Sequence, residues 1–167
     1  MDIIIIAAIS DNMALGIKGG LPWDMPADRT FLLEKIQGKF QIMGRRSYEE
    51  IVETNFFMAS FHAVLTRNSE LVIRDGQTFS SYQAALDVAS ERGEDEVIVL
   101  GGGQVYKQTI NQATRLILTE IHTVVEADTF FPSVDPEIWQ EVKRESHKAD
   151  TENAFDYDFV WYERKDT

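Results

Sequence analysis

Asp28 is the residue whose type and setting first raise the prospect of chemistry. It follows Leu21-Pro22-Trp23-Asp24-Met25-Pro26-Ala27, where two prolines bracket Trp23 and Asp24 in a stiff turn and Pro26 suits the first turn of a helix. Phe31, Leu32 and Ile36, with Leu33 beside them, form an apolar stripe that carries this helix to about Gly38, so Asp28 falls in its first turn. An acid there ordinarily answers the helix macrodipole and the free amides. The chemical alternative is a partly buried carboxylate at the mouth of a pocket, and the local sequence leaves both open.

Two further stretches could meet a ligand. Gly44-Arg45-Arg46-Ser47 follows the short strand Phe40–Met43 and opens a helix running from Ser47 to about Glu53. Two guanidiniums at a helix start can hold phosphate, though an exposed arginine pair is more often plain solvated surface. Gly101-Gly102-Gly103-Gln104-Val105-Tyr106 follows the buried strand Glu96–Leu100. Its glycines let backbone approach a ligand and its helix offers amides to phosphate, or they form only a tight connection. The dinucleotide fingerprint G-x-G-x-x-G is not met, because Tyr106 stands where the last glycine belongs.

Other chemistries lack candidates. His62, His122 and His147 are isolated, with no metal-ligand spacing, and there are no cysteines and no Gly-x-Ser-x-Gly elbow. One acid beside a glycine-rich loop, a glycine turn and scattered arginines suit a cofactor that brings its own reactivity.

The elements that must position these groups alternate. Ile3–Ile9 is an almost unbroken apolar run, the pattern of a strand buried on both faces, and its small Ala7 and Ala8 leave room for something flat. Ser10–Gly20 has glycines and no periodicity, so a loop precedes the Pro22-Trp23 turn. His62–Thr66 and Leu71–Ile73 are expected as strands, the second ending at the Asp75-Gly76 turn. Tyr82–Ser90 is expected as a helix capped by Ser80 or Ser81, and Arg115–Ile121 as a further strand. Trp139–Ser146 and Phe155–Arg164 alternate around a polar loop, so an antiparallel hairpin closes the fold. The expectation is a single α/β domain over residues 1–167: a mostly parallel central sheet of about eight strands, a C-terminal antiparallel hairpin and about four flanking helices.

The totals agree. The chain of 167 residues is 44% hydrophobic, enough for one well-buried core, with nothing resembling a signal peptide or a membrane span. A cytoplasmic monomer is expected. A net charge of −12 repels nucleic acid and anionic membranes, so any anionic ligand needs a local basic cluster.

Taken together, the motifs resemble dihydrofolate reductase along nearly the whole chain. The carrying stretches are Ala7-Ala8-Ile9, Gly16 with Leu21-Pro22-Trp23 and Pro26-Ala27-Asp28, Ile42-Met43-Gly44-Arg45, Leu100 to Tyr106, Leu118-Thr119-Glu120-Ile121, and Asp128-Thr129-Phe130-Phe131-Pro132. The resemblance implies NADPH as cofactor and dihydrofolate as substrate, with hydride delivered to C6 of the pterin and a proton to N5. It makes Asp28 the carboxylate that grips the pterin, supported by Thr119, with Trp23 ordering a water and Leu21 beside it. It places Ile6, Ala7, Leu32, Ile51, Phe57, Leu100 and Tyr106 around the substrate. On the cofactor side it places Ala8, Leu15, Gly16, Gly20, Gly44, Ser47, Thr66, Gly103, Gln104, Val105 and Tyr106. The Gly101-Gly102 peptide would be cis, and Arg45, Arg46 and Arg67 would surround the 2′-phosphate.

The resemblance breaks where this family has an arginine for the substrate's glutamate: the stretch reads Phe57-Met58-Ala59-Ser60, and no arginine occurs from Ser47 to Thr66. Arg29, beside the acid, is the candidate to take over that contact. Ala154 stands where some members have a hydrogen-bonding serine. The alternatives are a reductase of the same fold for another pterin or a pyrimidine, and a folate-binding homologue without turnover.

Overall fold

A computed structural model describes residues 1–16, 23–53 and 60–165. Its elements are β1 (Asp2–Ser10), β2 (Ala14–Gly16), α1 (Pro26–Ile36), β3 (Phe40–Gly44), α2 (Arg45–Glu53), β4 (Phe61–Leu65) and β5 (Gly76–Phe79). There follow α3 (Tyr82–Glu91), β6 (Glu96–Val99), α4 (Gly103–Thr109), β7 (Arg115–Ile121), β8 (Thr129–Phe130), β9 (Trp139–His147) and β10 (Tyr157–Arg164). Eight strands form one sheet in the order β5-β4-β3-β6-β1-β7-β10-β9. The pairs from β5 to β7 are parallel, whereas β10 runs antiparallel to both β7 and β9. The expected architecture is therefore present.

The Ile3–Ile9 run is the axis of the fold. Alternation sends Ile3, Ile5, Ala7 and Ile9 to one face, where they pack with Val97, Val99, Leu116 and Leu118 against Ala85, Leu86 and Ala89 of α3 and Val105 and Tyr106 of α4. Ile4 and Ile6 face the other way and join Ile98, Ile117 and Phe159 under Phe31 and Ile36 of α1. Ile5 is fully buried, so its replacement by Ala would cost about 2–5 kcal/mol. Phe31 stacks on Phe159 with ring centroids 3.8 Å apart and planes 7° from parallel, which fixes α1 against β10.

Three local expectations differ from the structure. Leu71–Ile73 is not a strand: Ile73 is buried against Tyr48 and Val64, while Val72 is 89% exposed. The edge strand comes after the turn instead, where Asp75 takes φ 51° and Gly76–Phe79 pairs with β4. The loop after β1 also contains a strand, β2, which pairs antiparallel with β8 and clips the loop's start to the segment after β7. α2 begins at Arg45 rather than Ser47.

Candidate active site

Because β1, β3, β4 and β6 run parallel, whatever follows each of them gathers along one edge of the sheet. Asp11 follows β1, Arg45 and Arg46 follow Gly44 at the end of β3, Thr66 and Arg67 follow β4, and Leu100 and Gly101 follow β6. Backbone bonds lock these ends together. Gly44 N–H donates to Gly101 O at 2.7 Å, and Leu100 N–H donates to Ile42 O at 2.9 Å.

Two of the glycines stand where a side chain would collide. A Cβ on Gly101 would stand 2.7 Å from the Tyr106 ring, and one on Gly103 2.6 Å from the Thr129 methyl, with Leu15 at 3.8 Å. A Cβ on Gly44 would lie 3.5 Å from Val105, and one on Gly102 3.9 Å from the Ser47 hydroxyl. The starts of α2 and α4 thus lie side by side at the strand ends, with Gln104 exposed on α4. The Gly101-Gly102 peptide is cis. Of the arginines, Arg45 pairs with Glu49 at 2.8 Å on its own helix, and Arg46 and Arg67 are exposed.

Asp28 lies on the other side of β1. Its backbone N–H donates to Met25 O at 3.0 Å, and its carboxylate accepts from the Thr119 hydroxyl. Burial pushes its acid up to about 6, against the lowering effects of the Thr119 bond and the Arg29 charge. The β1–β7 register sets Ala8 opposite Thr119 and Ile6 opposite Ile117. Ile6 and Ala8 share the α1 face with Leu32 and Leu100, whereas the Ala7 side chain turns to the α4 face, so Ala7 can reach this slot only through its backbone. Tyr106 crosses between the layers: its hydroxyl is buried and donates to Ile6 O at 2.6 Å.

Trp23 is 8% exposed, and its Nε1 is buried without a protein acceptor among the described residues. Arg29 forms an exposed ion pair with Asp24 at 2.7 Å. Gly16 ends β2. Gly20, Leu21 and Phe57 lie outside the described residues, and for Ile51 only the helical backbone is described.

A cleft of about 460 Å³ opens on the outer flank of α1, lined by Thr30, Phe31, Lys35, Lys143 and Trp161 among others, and includes neither Asp28 nor Thr119. Sequence reasoning passes over Asn153, which accepts a hydrogen bond from Ala27 N–H at 3.0 Å. It also passes over the cluster in which His122 contacts Asp11 at 3.1 Å and Asp158 at 3.2 Å. An asparagine in a polar loop and a lone histidine carry no spacing signal. Among the described residues no group of acidic or histidine side chains is arranged to hold a metal, and no helix is long and apolar enough to cross a membrane.

A parallel sheet whose carboxyl edge carries a glycine turn and two helix starts, with one half-buried carboxylate alongside, defines a class: α/β proteins that bind ligands at the strand ends. The comparisons with known proteins make it specific. The chain belongs to the dihydrofolate reductase family, whose model, described as Dihydrofolate reductase, matches residues 2–164. It is 32% identical to the dihydrofolate reductase of Neisseria meningitidis serogroup A over 98% of this chain and 99% of that one. It is 33% identical to dihydrofolate reductase HdrB of Haloferax volcanii over 97% of this chain and 83% of that one. A solved structure, dihydrofolate reductase from Enterococcus faecalis complexed with NADP(H) and RAB-propyl, superposes with a TM-score of 0.88 at 28% identity, covering 99% of this chain and 97% of that one.

Proposed function

We propose that the chain reduces 7,8-dihydrofolate to 5,6,7,8-tetrahydrofolate with NADPH, acting as a cytoplasmic monomer. The observation that carries the reading is the Asp28 carboxylate, half-buried beside β1 and bonded to Thr119. It is the acid placed to bond a 2-amino-4-oxo pterin through the 2-amino group and N3, and its negative charge favours a proton on N5. Trp23, with a buried indole N–H and no protein acceptor among the described residues, is suited to hold the water that carries that proton.

The residues at the strand ends fit the cofactor. Gly101 and Gly103 pack too closely against Tyr106 and Thr129 to carry side chains, while Gly102 is exposed with only the Ser47 hydroxyl near, so backbone there can lie against a pyrophosphate, and Arg45, Arg46 and Arg67 supply positive charge for a 2′-phosphate. NADPH, when bound, supplies the hydride that goes to C6. Thr119 keeps Asp28 aimed, while Ile6, Ala8, Leu32 and Leu100 give the slot apolar walls that exclude water. Arg29 is assigned to the glutamate tail of the substrate, a contact it makes by exchanging its Asp24 partner.

The test is oxidation of NADPH by the purified chain with dihydrofolate and, in parallel, with dihydrobiopterin. Turnover is expected with dihydrofolate at a kcat/KM well above that for dihydrobiopterin. The reverse preference would assign the site to another pterin, and turnover with neither would leave a binding protein.

A further inference from the structure

We propose that Asn153, in the loop between β9 and β10, is a positioning residue for Asp28: its side-chain oxygen caps α1 from outside the helix and holds the turn from which the carboxylate projects. The inference rests on the reading of Asp28 as the pterin anchor.

α1 does not cap itself. Met25, at the N-cap, is extended at φ −129° and offers no side-chain acceptor, and Pro26 has no N–H. The amides of Asp28 and Arg29 both turn back to Met25 O, at 3.0 and 3.2 Å. The Ala27 amide, one residue ahead of Asp28, is met from the far end of the sequence by Asn153 Oδ1 at 3.0 Å.

That acceptor is held rigidly. Asn153 is 4% exposed. Asp150 Oδ1 accepts from Asn153 N–H at 2.7 Å, from Asn153 Nδ2 at 3.0 Å and from Glu152 N–H at 2.9 Å, and Asp150 N–H donates to Asn153 O at 2.9 Å. A carboxylate accepts only, so it fixes the Asn153 amide with Nδ2 toward itself and Oδ1 toward α1. The acid is therefore held from two sides, by Thr119 through its side chain and by Asn153 through the backbone of its turn. Without Asn153 the first turn can tilt, and the carboxylate loses the angle that two bonds to one ligand require.

The test uses the full chain. Asn153→Ala is expected to lower kcat/KM for dihydrofolate roughly fivefold, mostly through KM, with the Kd for NADPH unchanged. Asp150→Asn keeps an oxygen for the same three donors and is expected to retain most of the activity, whereas Asp150→Ala frees the Asn153 amide and is expected to share the loss in KM. Parental KM in Asn153→Ala, an equal loss of NADPH affinity, or a parental KM in Asp150→Ala would each overturn the proposal. If Asn153→Ala does not fold, hydrogen exchange of the Ala27 amide in the parent decides: protection supports the cap, and exchange at the rate of an open amide overturns it. Asp28→Asn measured alongside separates the two readings. Full activity there removes the anchor itself, while a weak Asp28→Asn with a parental Asn153→Ala removes only the cap.

Discussion

Thr119, on β7, donates its hydroxyl to the Asp28 carboxylate on α1, so the acid is tied to the sheet before any ligand arrives. Its charge, more than its shape, is what the proposed chemistry needs. Asp28→Asn is expected to keep NADPH affinity and lose most turnover at pH 7, with partial recovery as pH falls and the substrate takes its proton from solvent. Steady-state rates across pH check this, and unchanged turnover at pH 7 would refute it.

The same acid should make the empty protein less stable near neutrality. Its folded acid titrates at about 6, above the value near 3.9 of an unfolded aspartate, so the native state holds its proton more tightly. Ionisation then works against the fold, fully above pH 6 and not at all below about pH 4. Without ligands, Asp28→Asn is expected to be more stable than the parent by about 2 kcal/mol at pH 7, the gap closing by pH 4. Urea melts at the two pH values read it directly.

Cofactor choice should lie in the arginines at the sheet edge. Neutral replacements of Arg45, Arg46 and Arg67 together are expected to weaken NADPH far more than NADH, by at least tenfold in a fluorescence titration. The effect should shrink with added salt, since the guanidiniums are exposed and Arg45 is already shared with Glu49. Equal losses for both cofactors would place the phosphate contact elsewhere.

His122 should give stability a second pH dependence, of opposite chemical origin. Burial pulls its imidazole down, but the hydrogen bonds and charges of Asp11 and Asp158 outweigh this and raise it above 6.5. Asp158 is itself lifted by burial and brought below its ordinary value by bonds from Arg144, Ser146 and His122. A raised histidine stabilises fully below its unfolded value and loses that contribution as pH climbs through the folded one. His122→Gln is therefore expected to be less stable than the parent at pH 6 and nearly equal at pH 9, by thermal melts at both.

Much of this was legible because it depends on local pattern. The Ile3–Ile9 run could only be a buried strand, and Pro26 with the stripe from Phe31 to Ile36 marked the helix of Asp28. The glycine turn and the arginines after β3 followed from strand–helix junctions. What escaped depends on pairing. β5 has an unremarkable sequence and exists because His62 N–H bonds Asp75 O and the backbone beyond pairs with β4, while the apolar Leu71–Ile73 covers Tyr48 without joining the sheet. β2 and β8 are two or three residues each and stabilise one another. The cap on α1 comes from a residue 126 positions away, a distance no periodicity reports.

β10 is an interior strand, bonded on both sides, although it is the last element of the described chain. Seen from the ribosome, that placement divides the site in time. Asp28 emerges early, but Thr119, Asn153 and the Phe159 ring on which its helix stacks are made only as the final third of the chain appears. A nascent chain halted before β10 would carry the acid, the glycines and the arginines, yet hold α1 against an unfinished sheet. Affinity for the pterin should therefore arise late and abruptly during synthesis, as a property of the closed sheet rather than of the motifs that announce it.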